Sequence, residues 1–190
     1  RIIDYKKLNN AITRQTNITK SPFLCASDCP PGKKKSILDA KDGYHSVVLE
    51  KGESRAVTEF LCEFGRYRCI GSGQGLICSG DAYTHRFDNI TSKFQNVTRC
   101  VDDSLLWEDD MRTSFDLVCR YITTCARGGI NFNRQKFKFA EDVVDYVGFT
   151  LTCDDIKVAA SMTESIRNFP APKNITQARA FFGLIEQVSW

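Results

Sequence analysis

At 190 residues the chain is long enough to bury a sizeable core, as one domain or as closely packed subdomains. With 42% hydrophobic and 26% charged residues it is neither disordered nor collagen-like, and no run approaches the roughly 20 apolar residues of a membrane helix. A net charge of +3 permits nucleic-acid binding without requiring it.

The chain opens Arg1-Ile2-Ile3-Asp4-Tyr5, which reads as strand-like, with no signal peptide and no initiator methionine, as expected of a fragment or processed piece. Residues 1–35 are mixed and loop-rich, broken at Cys29-Pro30-Pro31-Gly32. Lys33-Lys34-Lys35 reads first as a solvated charge run. Ser36 to Ala40 predicts a short buried strand, and Val47 to Glu50 a second after the Gly43-Tyr44 turn. Residues 57–64 and 67–70 predict a hairpin about Gly65-Arg66, and Gly71 to Gly75 a flexible loop. Leu76, Tyr83 and Phe87 recur at helical spacing, which predicts a helix to about residue 90.

Val97 to Trp107 reads as strand–turn–strand about Asp102-Asp103. Asp109 and Asp110 suit a helix N-terminus, where the helix dipole favours negative charge. Phe115, Val118, Cys119, Ile122, Cys125 and Ala126 form an apolar stripe, ended by Gly128-Gly129. Phe137, Phe139 and Val143 to Thr152 predict strands, with Asp154-Asp155 in a hairpin turn. A short helix near 162–168 stops before Pro170 and Pro172, and an amphipathic one follows with Ala178, Phe181, Phe182, Ile185 and Val188 on one face. This order argues an α+β fold, with helices on one face of an antiparallel sheet.

The nine cysteines are odd in number and too sparse for a disulfide scaffold. With Cys119 and Cys125 on the helical stripe, they read as reduced, small core residues of an intracellular protein. Cys25-x3-Cys29 is half a zinc site without a second half, and His45 and His85 stand alone. The sequons at Asn17, Asn89, Asn96 and Asn174 would be glycan sites only in a secreted chain and are read as chance.

Of the three Asp-Asp pairs, only Asp102-Asp103 is embedded between strand-forming residues. Carboxylates held at a tight turn on a rigid sheet suit metal binding. Asp39, at the end of an upstream apolar strand, supplies a third carboxylate, the set that a two-metal nucleotidyl-transfer site needs.

Several short segments, in order, resemble the reverse transcriptases of gypsy-type retrotransposons and their retroviral kin. Ile3-Asp4-Tyr5-Lys6-Lys7-Leu8-Asn9 resembles VDYRxLN, and Leu38-Asp39-Ala40-Lys41-Asp42-Gly43-Tyr44-His45 resembles LDxxxGYHQ. Gly73-Gln74-Gly75-Leu76 resembles the PQG or PFGL loop, and Cys100-Val101-Asp102-Asp103 stands where the family has YxDD. Gly129-Ile130, Asn133 and Lys136-Phe137 resemble GxxxNxxKC, and Val147-Gly148-Phe149 resembles FLGH. Ile166 to Pro172 and Phe181 to Leu184 resemble IxxFPxP and FLGL.

The resemblance implies a right-hand polymerase fold. Residues 1–35 and 47–78 would be partial fingers, 36–46 and 79–152 the palm, and 153–190 the start of the thumb, without an RNase H or integrase region. It implies an RNA-directed DNA polymerase that extends a primer on an RNA or DNA template with dNTPs. Two Mg2+ ions, or Mn2+, would lie on Asp39, Asp102, Asp103 and the Ala40 carbonyl. Lys136 would be a general acid toward pyrophosphate. Asp42, Gly43, Tyr44, Gln74 and Gly75 would line the nucleotide pocket, with Tyr44 excluding a 2′-hydroxyl. Cys100, Val147, Gly148 and Phe149 would meet the primer. The implied location is the cytoplasm or a virus-like particle, then the nucleus, with no membrane partner. Cys100 replaces an aromatic residue, which predicts looser packing near the primer end. Gly73 replaces a proline, which predicts a looser loop. The alternatives are a domesticated or inactive polymerase-fold module that binds nucleic acid without catalysis, and a secreted disulfide-linked glycoprotein.

Overall fold

The structure, a computed structural model, describes residues 3–14 and 16–188. Arg1 and Ile2 of the predicted strand-like opening lie outside the described residues, as do the last two residues of the segment assigned to the thumb. Ile3 to Tyr5 are irregular and lead into a helix, not a strand.

In chain order the elements are α1 (Lys6–Asn9), α2 (Pro22–Ser27), β1 (Lys34–Lys41), a 3-10 turn (Tyr44–Ser46), α3 (Glu53–Ala56), β2 (Phe60–Cys62), β3 (Gly65–Tyr67), α4 (Ser79–Thr91), β4 (Val97–Cys100), β5 (Asp103–Glu108), α5 (Met111–Arg127), β6 (Asn131–Phe132), β7 (Lys138–Glu141), β8 (Val144–Tyr146), β9 (Phe149–Leu151), β10 (Ile156–Val158), α6 (Ala160–Arg167) and α7 (Ile175–Glu186). The fold is mixed α and β, and its resolved strand registers are antiparallel. The main sheet runs β4-β5-β1-β6, with β7 also paired to β1, and a second sheet runs β10-β9-β8.

The chain divides into two compact units. One gathers the residues up to Thr19, Ala40–Lys93 and Ile122–Asn131, and the other Lys20–Asp39, Phe94–Tyr121 and the residues from Phe132 onward.

In the second unit β1 is the hub. It pairs with β5 without a break from Lys34↔Glu108 to Asp39↔Asp103. The strand starts earlier than predicted because two lysines belong to it. Lys34 pairs with Asp142 at 2.7 Å. Lys35 is only 1% exposed, and its ammonium donates to the Lys33 and Asp142 carbonyls at 2.9 and 2.8 Å. The charge run is therefore not uniformly solvated: a lysine buried within a strand is tolerable when backbone oxygens satisfy it. Behind the sheet, Cys25, Ala26, Ile37, Leu105, Trp107, Val144, Tyr146, Phe149 and Leu151 form one apolar cluster. Helix α2, which the loop-rich reading passed over, contributes Cys25 and Ala26. It is started by the Ser21 hydroxyl, which accepts from Leu24 N, and by Pro22 in the first turn.

Helix α5 starts where predicted, with the Asp110 carboxylate accepting from Arg112 and Thr113 N at 2.8 and 2.9 Å. These bonds hold the Asp110 carboxyl below the usual carboxylate range. Its buried face differs from the predicted stripe. Ser114, Leu117, Val118, Tyr121 and Cys125 are buried, while Phe115, Cys119, Ile122 and Ala126 are exposed. The helix is turned so that the Tyr121 ring enters the interior and its hydroxyl reaches Ser104 Oγ at 2.9 Å. Phe115 is left against Phe139, ring centroids 6.3 Å apart. Ala178, Phe181 and Ile185 of α7, and Val188 just past its end, are half-buried, but Phe182 is exposed. Asn174 caps this helix, accepting from Gln177 N at 2.9 Å.

In the first unit, Tyr83 and Phe87 of α4 are fully buried, and the Tyr44 ring meets Tyr83 edge-on with centroids 5.7 Å apart. The β2–β3 hairpin turns at Glu63-Phe64, two residues before the predicted turn, and its strands are shorter. Val47 to Glu50 make no strand; they hold the chain at 70–72 through a single bridge, Val48↔Gly71, and two flanking backbone bonds. The nine cysteines are all free.

Candidate active site

The site is built where two fully buried strands reach half-buried ends. Ile37 and Leu38 of β1 and Ser104 to Trp107 of β5 are buried, which leaves Asp39 and Asp103 at the margin, directly opposite one another. Like charges placed opposite in an antiparallel pair repel. The Asp103 carboxyl accordingly has its pKa pushed up to about 6, first by burial and then by the Asp39 charge; Asp102 adds to the push and Lys136 opposes it.

Lys136 donates to Asp39 Oδ1 at 2.9 Å from an exposed side chain, and this contact raises its own pKa above the ordinary lysine value. The turn that presents Lys136 is organised by Asn133. The Asn133 N–H donates to the Asp39 carbonyl at 2.8 Å, its carbonyl accepts from Lys136 N, and its side-chain oxygen accepts from Gln135 N.

Asp102 lies half-buried in the turn between β4 and β5, where Val101 takes a φ of +54°. A β-branched residue in the left-handed region is strained, and strain of this kind persists only where surrounding contacts enforce it. Here the Arg99 guanidinium donates to the Val101 carbonyl, and the Tyr146 hydroxyl donates to the Asp103 carbonyl at 3.1 Å. Reading the sequence for function left Arg99, Tyr121 and Tyr146 unassigned and gave Asn133 no role. For Tyr146 the signal was its place just before Val147-Gly148-Phe149.

Among the described residues no three His, Cys, Asp or Glu side chains form a ready-made metal cage. The donor set instead suits magnesium, which takes one or two carboxylates and fills its shell with water and substrate phosphates. Asp39 and Asp103 set two carboxylates opposite one another, with Asp102 near enough to act on Asp103 electrostatically.

Cys100 ends β4 opposite Asp103 and packs against the apolar cluster, as does Val147, so its smaller side chain is accommodated in the core. Val147 and Gly148 form the β8–β9 turn with φ of +44° and +93°. Phe149 is fully buried, its ring 5.7 Å from Phe23. Its ring is part of the apolar cluster behind the sheet.

The predicted nucleotide-pocket residues lie in the other unit, with Ala40, buried, at its chain boundary. Asp42 is exposed at φ +54°, and Gly43 has no room for a side chain because a Cβ there would lie 2.5 Å from the Tyr83 ring. Gln74 and Gly75 are exposed on a loop that is tied down, contrary to the expected looseness. Asn9 bonds the Gly75 carbonyl and the Ile77 N–H, both at 2.9 Å, and Ser79 Oγ donates to the Gly73 carbonyl at 2.8 Å. Gly73 lies against Tyr5, so its lack of a side chain serves close packing.

No family model matches the chain. Over 189 residues it is 24% identical to a retrovirus-related Pol polyprotein from the transposon gypsy of Drosophila melanogaster, covering 96% of this chain and 18% of that one. It is 22% identical to a Pro-Pol polyprotein of Simian foamy virus type 1, covering 97% of this chain and 16% of that one. Along nearly its whole length the chain is similar to one part of these Pol polyproteins. It spans less than a fifth of the length of these two relatives. Its fold is shared with the foamy viral protease-reverse transcriptase in complex with double-stranded DNA, at a TM-score of 0.86 and 17% identity, covering 97% of this chain and 32% of that one. The same protein in complex with an RNA/DNA hybrid matches at a TM-score of 0.83 and 17% identity, over 97% of this chain and 25% of that one.

Proposed function

We propose that this chain is the core of an RNA-directed DNA polymerase, which joins deoxynucleotides to a primer 3′-hydroxyl. The observation that carries the reading is the Asp39–Asp103 pair: two carboxylates forced together on a rigid sheet, with Asp102 beside them and a lysine on Asp39. A site that holds repelling charges close is suited to receive cations. The nucleic acids bound by the structural neighbours favour the same reading. On it, the β4-β5-β1-β6 sheet is the palm, flanked in sequence by partial fingers and the start of a thumb.

Asp39, Asp102 and Asp103 would hold two magnesium or manganese ions, with the Ala40 carbonyl as a further ligand. When bound, such ions would acidify the primer hydroxyl and stabilise the leaving pyrophosphate. The chain's own residues supply the positioning. Tyr146 and Arg99 fix the backbone that carries Asp102 and Asp103. Lys136 offsets the repulsion between Asp39 and Asp103. As an exposed lysine it is protonated at neutral pH, and its proton would be available to pyrophosphate once Asp39 turns to another partner. Tyr44, held edge-on by Tyr83, would exclude a 2′-hydroxyl by ring bulk, and Asp42, Gly43, Gln74 and Gly75 would line the nucleotide's path. The backbone at Val147, Gly148 and Phe149, together with Cys100, would bear on the primer.

The test is primer extension on an RNA template by the protein that carries this chain. Extension should require magnesium or manganese, stop on chelation, and be abolished by Asp102→Asn. Unchanged extension by that variant would remove the site assignment. Template binding without extension under any divalent cation would favour the non-catalytic module.

A further inference from the structure

Cys25 and Cys100 meet inside one unit. Cys25 lies on α2 and is completely buried; Cys100 is the last residue of β4 and is half-buried against the same apolar cluster. Helix α2 packs against β4. The Cys25 thiol donates to the Arg99 carbonyl at 3.4 Å, one residue before Cys100, and Cys100 packs against the cluster to which Cys25 belongs. Cys29, also buried, sets the contrast: its thiol turns to the Pro30 carbonyl.

We propose that Cys25 and Cys100 form an oxidation site, closing to a reversible disulfide that disturbs the turn bearing Asp102 and Asp103. The oxidant is a peroxide. Cys100 is the less buried of the two cysteines and is taken as the first to react. Its sulfur attacks the O–O bond and keeps one oxygen as a sulfenic acid, while the other leaves as water with the thiol proton. The Cys25 sulfur then displaces the sulfenic hydroxyl, which leaves as a second water with the Cys25 proton. Two thiols are oxidised to one disulfide as one hydrogen peroxide is reduced to two waters.

Closing the bond draws the two sulfurs to about 2.05 Å. Cys25 has little freedom to move, because its helix is capped by Ser21 and embedded in the core. The chain yields instead at Cys100, where the strand ends, beside the strained Val101 and opposite Asp103. A catalytic group displaced by about 1 Å slows a reaction about a hundredfold. The effect on polymerisation rests on the function proposed above, whereas the disulfide itself does not.

The test treats the protein that carries this chain with hydrogen peroxide, blocks remaining thiols, and maps its peptides by mass spectrometry. The expected product is a Cys25–Cys100 cross-linked peptide, lighter by two hydrogens and reversed by dithiothreitol. Recovery of the two residues as separately blocked or separately over-oxidised cysteines overturns the proposal, whatever the activity. Extension should fall about a hundredfold on oxidation and return on reduction. Cys25→Ala should keep the extension of the reduced parent and lose its peroxide sensitivity; if that variant does not fold, the peptide map of the parent still decides. Cross-link formation with undiminished extension overturns the regulatory half, and cross-link formation in a protein with no extension in either state overturns the polymerase reading alone.

Discussion

Asp39 and Asp103 are cross-strand partners: the pairing of β1 with β5 sets their Cα atoms opposite one another, so both carboxylates leave the same face of the sheet. The fold thus holds together two groups that repel, and that tension can be measured apart from any catalysis.

Asp103→Asn should abolish extension yet stabilise the fold at high pH. In the fold Asp103 stays protonated up to about pH 6, against about 3.9 for an unfolded aspartate. Its contribution to stability is therefore fully present below the unfolded value and is lost as pH rises through 6. The asparagine variant should gain about 1 kcal/mol at about pH 8, a figure discounted for partial exposure, and gain nothing below about pH 4. Metal-free thermal melts across this range check the sign; a loss of stability at pH 8 would contradict it.

Lys136→Ala removes the charge that pulls the Asp103 pKa down, so Asp103 should titrate above about 6 in the metal-free protein. Lys136→Arg should leave it close to the parent value. A carboxyl NMR titration separates the two variants.

Tyr44→Ala should raise incorporation of ribonucleotides relative to deoxynucleotides by about tenfold to a hundredfold, since the bulk facing the sugar would be gone. Competition between matched rNTP and dNTP substrates measures it, and an unchanged ratio removes Tyr44 from sugar selection.

Gly73→Ala should destabilise the chain by about 1–3 kcal/mol through overpacking, because the new Cβ would lie 2.7 Å from the Tyr5 hydroxyl oxygen and 2.9 Å from its ring. Tyr5→Leu in the same chain should recover part of the loss. Denaturant unfolding of the single and double variants tests the pair.

What could be read from the sequence was what strong local patterning dictates. The strand–turn–strand about Asp102-Asp103 and the helix start at Asp109-Asp110 lie where their residue types require. The buried face of α5 could not be read, because Phe115 and Ile122 look more apolar than Ser114 and Tyr121. The hydroxyl of Tyr121 finds its partner only on β5, a distance in sequence that periodicity does not see. Helix α2 was legible in principle from Ser21-Pro22 but hidden by its shortness. At the site, the carboxylates are visible as letters, whereas the supports from Tyr146, Arg99 and Asn133 depend on register and turn geometry.

Lys35 has a part in that register. Its ammonium is satisfied by the Lys33 carbonyl of its own segment and by the Asp142 carbonyl just past β7, and the second is supplied by one alignment of the two strands. Sliding β1 against β7 by one residue would turn every side chain to the opposite face and take the ammonium away from the Asp142 oxygen, and either change is unfavourable. A buried cation four residues upstream of Asp39 thus serves as an alignment pin, holding β1 in place against the strand that ends at Glu141.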